Sequence, residues 1–286
     1  MLFDTVTIVG VGLIGGSLGL AMKAKKVARR IVGVGHRESS MRRALERGAV
    51  DETHLTVEDA VADADWVVLA ASVRLIPEHA RRAAGRMKPG AILSDVGSAK
   101  EGICAEMARL SRGGLAVVGM HPIAGSEQRG IEAARGDLFE GTMCILTPGE
   151  GSTDEAVKKV TQAWEAIGAR VVTLTPKEHD RLLAGASHLP HVIAGALLNS
   201  LTEDCLAYGG AGLRDTTRIA SGDPDLWRDI CAANRRHILE AIERFQKRVE
   251  EFKAALAAKD DERVRDLLAA AKQRRDNLPA KPASHP

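Results

Sequence analysis

Gly10, Gly12 and Gly15, in the order GVGLIG, follow directly on the aliphatic run Thr5 to Val9, and from Ile14 to Ala24 the chain continues at helical spacing. A strand, a glycine turn and a helix in immediate succession constrain this fold more than any other segment. The first glycine permits the tight turn, the second lets backbone approach a pyrophosphate, and the third lets helix pack on strand. Phosphates then sit at the positive helix N-terminus. The competing reading is a glycine-rich turn without a ligand, and the flanking elements argue against it. Gly10, Gly12, Leu13, Ile14 and Gly15 are the expected dinucleotide contacts, with Ser72 after a later strand.

Further strand-like runs at Ile31 to Val34, Trp66 to Ala70, Ala91 to Ser94 and Leu115 to Val118 alternate with segments that read as helices. That alternation predicts a Rossmann-type, doubly wound, mostly parallel sheet with helices on its faces. Ile145 to Leu146 and Arg170 to Thr175 read as additional strands flanking a helix from about Asp154 to Ile167, capped by Ser152 or Thr153. From Lys177 onward no alternating run remains, and Ala, Leu, Glu, Lys and Arg recur at helical spacing. An α/β domain over 1–175 and an all-helical domain over 176–286 are therefore expected. The closing LPAKPASHP, from about Leu278, holds too little apolar surface to order itself.

The 286 residues carry a formal charge of +2 and 3% aromatics. Basic residues interleaved with acidic ones and few stacking rings argue against nucleic acid. Cys104, Cys144, Cys205 and Cys231 lack metal-site or CxxC spacing, so reduced thiols and no metal are expected. The first strand starts too close to Met1 for a signal sequence, and no apolar run approaches membrane-spanning length, which predicts a cytoplasmic protein.

At the end of the second strand, where NAD-preferring sites usually carry an acid for the ribose hydroxyls, stands Gly35. His36, Arg37 and Ser39 follow, and Arg37 suits a 2′-phosphate through a charge-assisted pair. The expected cofactor is NADP or NAD, with Arg37 tilting toward NADP; Glu38 in the ribose role is the alternative.

GMHPIAGSEQRG, Gly119 to Gly130, places His121 just past an apolar run, at the strand edge where open α/β sheets bind ligands. There it is a candidate general base, weighed against a satisfied, half-buried histidine. DVGSAK, Asp95 to Lys100, brings Ser98 to the same edge, although a helix cap explains it equally well on spacing alone. SHLPH adds His188 and His191 beside Pro190, where core histidines next to a kink are the simple reading. GLRDTTRIASGDPDLWRDI concentrates Arg214, Asp215, Arg218, Asp223 and Trp227; its arginines suit carboxylates, from a ligand or from neighbouring acids.

These segments together, VGVGLIGGSLG, SDVGSAK, GMHPIAGSEQRGIEAARGDLFEG, HDRLLAGASHLPH and GLRDTTRIASGDPDLWRDI, span nearly the whole chain, which resembles the prephenate dehydrogenases of the cyclohexadienyl (arogenate) dehydrogenase family. The resemblance implies oxidative decarboxylation of prephenate to 4-hydroxyphenylpyruvate in tyrosine biosynthesis, by a single-function, homodimeric enzyme that dimerises through its helical domain. It implies that His121 takes the ring-hydroxyl proton, that Ser98 hydrogen-bonds that hydroxyl and helps orient His121, that Arg218 binds a substrate carboxylate, and that His188 lines the pocket. Ser126, Glu127, Arg214, Asp215 and Trp227 fall at the cleft mouth by the same resemblance. Arogenate or dual specificity is the alternative substrate reading. More distant alternatives are a Rossmann dehydrogenase acting on a hydroxy acid or pyrroline, and a non-catalytic NAD(P)-binding regulatory module.

Overall fold

The computed structural model describes residues 1–111, 113–125 and 128–278. Its sheet is built from β1 (Phe3–Val9), β2 (Ala28–Val34), β3 (Glu52–His54), β4 (Trp66–Leu69), β5 (Ile92–Asp95), β6 (Ala116–Pro122), β7 (Met143–Thr147) and β8 (Arg170–Thr173). The eight strands lie in the order β3-β2-β1-β4-β5-β6-β7-β8. All neighbours pair in parallel except β6 and β7, which run antiparallel. The order reverses between β1 and β4, the switch point where such sheets take ligands.

Helices α1 (Leu13–Ala24), α2 (Glu38–Glu46), α3 (Ile76–Ala84), α4 (Glu101–Ala108) and α5 (Asp154–Ala166) cover the sheet. Near-continuous aliphatic strands such as WVVL, buried at every position, are what a sheet covered on both faces requires. One face closes over Ile8, Leu18, Trp66, Val118, Phe139 and Trp164, the other over Val9, Leu69, Ile76, Leu93, Met107 and Val117. Of the two residues expected to cap α5, Thr153 does so, accepting from the Ala156 amide, while the Ser152 hydroxyl donates to the Val117 carbonyl.

Three local features depart from the sequence reading. β3 escapes a hydrophobicity search because its three residues, Glu-Thr-His, carry no apolar pattern and sit on an edge. β6 runs on to Pro122, so His121 lies inside the ladder opposite Ile145 and not just past the strand. The third departure is the helical run Pro176–Asn199, long and apolar enough by length and composition to cross a bilayer, where no such run had been expected. That run carries His179, Asp180 and His188, all buried and hydrogen-bonded, which suits a protein–protein packing face and not lipid.

The helical part comprises α6 (Pro176–Leu183), α7 (Leu189–Asn199), α8 (Glu203–Ala207), α9 (Ala211–Thr217), α10 (Pro224–Ala233), α11 (Arg235–Ala257) and α12 (Asp261–Asp276). Thr175 opens it with a capping box, its hydroxyl accepting from the Glu178 amide while the Glu178 carboxylate accepts from the Thr175 amide. A π-turn, Ala184–His188, joins α6 to α7 just before Pro190, which cannot donate a hydrogen bond. The helix thereby changes register at His188. Trp227 and Ile230 of α10 pack into the second face of the sheet core, fixing the helical part against the nucleotide-binding part.

Candidate active site

The glycine turn shows which of its glycines serve the fold and which leave space. A Cβ on Gly10 would lie 2.5 Å from the Ala70 carbonyl oxygen, and one on Gly15 would lie 2.1 Å from the Gly10 oxygen. Gly10 also holds φ at +100°, a region that favours glycine. A Cβ on Gly12 would meet nothing within 4 Å. The fold does not need Gly12 bare; a phosphate lying against the backbone would. The α1 N-terminus beside it has no acidic residue in its first turn and no side-chain cap, so its N–H groups remain open to an anion. These features fit a dinucleotide.

Beyond β2, Gly35 is followed by exposed His36, Arg37 and Ser39. Arg37 has no ion pair among the described residues, and Ser39 shares a cleft of about 480 Å³ with Glu38, Arg42, Thr53 and His54. Ser72, expected at the cofactor, donates to Asp229 of α10 at 2.7 Å. Its hydroxyl joins the two parts of the chain.

At the carboxyl edge of β6, His121 is half-buried and its Nδ1 lies 2.8 Å from His179 Nε2. His179 Nδ1 in turn lies 2.8 Å from Asp180 Oδ1. The Asp180 carboxylate also accepts the backbone N–H groups of Lys100, at 2.7 Å, and Glu101, at 2.8 Å, where α4 begins. This is anion capture at a helix start, with the anion supplied by the helical part. His121 Nε2 has no partner among the described residues. Ser98, expected to help orient His121, is half-buried and makes no hydrogen bond to it; His179 holds the ring.

Burial depresses the His121 basicity well below the ordinary histidine range, and His179, Lys100 and His188 add to the effect. Desolvation likewise lowers His179, against the pull of Asp180, and brings His188 down to about 4. Both rings are therefore neutral at neutral pH. Burial alone would raise the Asp180 carboxyl, but His179 and the two backbone donors outweigh it and keep it ionised.

Under the same edge, Lys100 Nζ forms an ion pair with Asp95 Oδ2, both side chains fully buried, and Asp95 also accepts from the Gly97 amide at 2.8 Å. Beside it, Gly119 is packed too closely for a side chain: a Cβ there would meet Thr147 Oγ1 at 2.4 Å and Cys104 Sγ at 2.6 Å.

His188 is buried, its Nδ1 3.1 Å from the Asn234 side-chain nitrogen, and its Nε2 has no partner. Trp227 stands edge-on to His188 at 6.1 Å and stacks on His191 at 3.3 Å between ring centroids. Arg218 is exposed at the end of α9, close enough that its charge lowers the basicity of His191, and it has no ion pair among the described residues. Arg214 and Asp215 are exposed on α9 and have no ion pair among the described residues, whereas Arg129 pairs with Asp223 at 2.5 Å. Ser126 and Glu127 lie outside the described residues. Three residues of this constellation, His179, Asp180 and Asn234, were not singled out from the sequence. Adjacent His and Asp in the first turns of a well-capped helix, positions usually left to water, were the available signal for two of them.

Residues 18–173 match the family model described as prephenate dehydrogenase, nucleotide-binding domain, and residues 175–270 match prephenate dehydrogenase, dimerization domain. The chain is 31% identical to a prephenate dehydrogenase of Bacillus subtilis over 96% of its own length and 76% of that protein. It is 32% identical to a cyclohexadienyl dehydrogenase of Zymomonas mobilis over 90% of both. Among solved structures, a prephenate dehydrogenase from Aquifex aeolicus, in complex with hydroxyphenyl propionate and NAD+, superposes with a TM-score of 0.90 at 32% identity, covering 96% of this chain and 98% of that one. An arogenate dehydrogenase from Synechocystis superposes with a TM-score of 0.83 at 26% identity, over 95% and 99%.

Proposed function

The chain belongs to the prephenate dehydrogenase family of NAD(P)-dependent oxidoreductases, and from that premise we propose that it converts prephenate to 4-hydroxyphenylpyruvate with His121 as the base. The observation that carries this reading is the His121 ring itself, held through Nδ1 with Nε2 bare, on the carboxyl edge of the sheet that also bears the Gly12 cradle. Gly10, Gly12, Gly15 and the first turn of α1, with Leu13 and Ile14, would hold the dinucleotide, whose nicotinamide accepts the hydride when bound.

His121 Nε2 takes the hydroxyl proton as the hydride leaves the same ring carbon. The resulting cyclic dienone loses its ring carboxylate as CO₂ and becomes aromatic, so the overall step is effectively irreversible. The protein's task is then to hold the alcohol carbon in register and keep a neutral base beside it. Ser98, half-buried on the same edge and without a side-chain hydrogen bond among the described residues, is suited to bind the substrate hydroxyl. Arg218, without an acidic partner among the described residues, is suited to a substrate carboxylate; His188, Trp227 and Arg214 are assigned to the pocket and its mouth, as are Ser126 and Glu127, which follow His121 in sequence. Arg218→Ala is expected to raise KM for prephenate by about tenfold to a hundredfold, since its contact already exists in the ground state. A large fall in kcat at unchanged KM contradicts that role.

A cyclohexadienyl dehydrogenase at 32% identity over 90% of both chains favours a second reading, activity on arogenate as well. Steady-state kinetics on a grid of prephenate and arogenate with NAD+ and NADP+ test both substrate and cofactor. NADP+ is expected to give the higher kcat/KM, and Arg37→Ala to move the preference toward NAD+ by about tenfold. A strong preference for NAD+ in the native enzyme rejects Arg37 as a phosphate ligand.

The enzyme is further proposed to be a cytoplasmic homodimer joined through its helical domain. Leu239, Phe245, Val249 and Leu256 on α11 stay 37–64% exposed, as a dimerisation face requires before it is covered.

A further inference from the structure

A backbone carbonyl can only accept hydrogen bonds. The side-chain atom of Asn234 that lies 2.7 Å from the Asp180 carbonyl oxygen is therefore its nitrogen, and this fixes the orientation of the amide. The same nitrogen lies 3.1 Å from His188 Nδ1 and donates its second hydrogen there. His188 Nδ1 thus holds a lone pair, and the neutral ring carries its hydrogen on Nε2, the buried atom without a partner.

The other arm starts from the Asp180 carboxylate, which is likewise accept-only. Oδ1 takes the Lys100 amide and His179 Nδ1–H, while Oδ2 takes the Glu101 amide. His179 Nε2 is left bare and accepts Nδ1–H of His121, so the His121 lone pair stands on Nε2.

We infer that Asp180 is a positioning residue that sets opposite tautomers on two rings of the site. Its carboxylate, through His179, makes His121 an acceptor at Nε2, and its carbonyl, through Asn234, makes His188 a donor at Nε2. Burial supports both arms by holding His179 and His188 neutral. The consequence at His188 is chemical selectivity. An N–H there can serve an oxygen acceptor, keto or carboxylate, and offers nothing to an ammonium group. The kinetic part of this inference rests on His121 being the base; the tautomers themselves do not.

Long-range proton–nitrogen correlation spectra of the full chain with ¹⁵N-labelled histidine, saturated with NAD+ or NADP+, read the tautomers directly. His121→Asn and His188→Asn assign the two rings. The native protein is expected to show His121 with hydrogen on Nδ1 and His188 with hydrogen on Nε2; either ring in the opposite form overturns the inference. Asn234→Leu should let His188 populate both forms while His121 stays put, and should raise KM for prephenate about tenfold, the loss of one hydrogen bond. His179→Leu should release His121 from its single form and lower kcat, and His179→Gln, which offers an oxygen where Nε2 stood, should restore both. Asp180→Asn, which keeps the backbone carbonyl that Asn234 binds, should disturb His121 and leave His188 in its single form. A variant set that changes only thermal stability, with both tautomers unmoved, sinks the inference. Native tautomers as expected without turnover of prephenate would leave it standing and remove the proposed reaction instead.

Discussion

Replacing His121 with asparagine is expected to lower kcat by about 10²–10⁴-fold, the range a positioned general base supplies, while the protein still binds NAD(P)+. Asparagine is close to the imidazole in size and retains polar atoms but cannot take a proton, so cofactor titration and turnover separate binding from chemistry. Near-normal turnover would remove His121 as the base. The pH profile of the native enzyme carries the same information. A base works deprotonated, and protonation on the acid side removes it. Burial depresses its pKa, with His179, Lys100 and His188 facing it and Asp180 and Asp95 behind them. The acid limb of kcat/KM should accordingly fall well below an ordinary histidine's value of about 6.5, leaving activity nearly flat from pH 7 to about pH 6.

The second large effect is one of stability. Lys100→Met is expected to cost about 3–5 kcal/mol, because it leaves the Asp95 carboxylate buried without its cation. Denaturant unfolding measures the loss. Combining it with Asp95→Asn, which retains an acceptor for the Gly97 amide, should recover most of it. If Lys100→Met unfolds within about 1 kcal/mol of the native protein, the pair is not the support of this edge. The two experiments probe different things: His121 is read in turnover with the fold intact, whereas Lys100 is read in the fold itself.

Local pattern made the sheet legible. The strands β1, β2, β4, β5 and β6 are aliphatic enough, and the turn after β1 specific enough, to fix the architecture and the nucleotide end of the site. His121 could be picked out because it stands at the carboxyl end of such a strand. The residues that give it a defined chemical state could not. His179 lies 58 positions from His121, and Asp180 lies 80 positions from the Lys100 amide that holds it. Within its own segment, His-Asp after Thr-Pro-Lys-Glu reads as the polar start of a surface helix, and only tertiary packing buries it. The partner of Ser72 is hidden in the same way: its strand-end position suggests a ligand contact, and the carboxylate it binds lies 157 positions away. Nothing in DVGSAK alone reveals that Lys100 turns into the interior to pair with Asp95.

The hydrogen bond between His121 and His179 joins residues from opposite sides of the covalent connection at Thr175. One ring stands on the sheet and its partner on the first helix of the other half, so neither half alone holds the proposed base in a defined state. The nucleotide-binding half is modular as a binder and not as a catalyst. Exchange of the helical half with that of a relative would preserve chemistry only where the incoming helix brings its own histidine–aspartate pair to the same place. On the proposed mechanism, drift at the seam in either half is therefore bounded by the other.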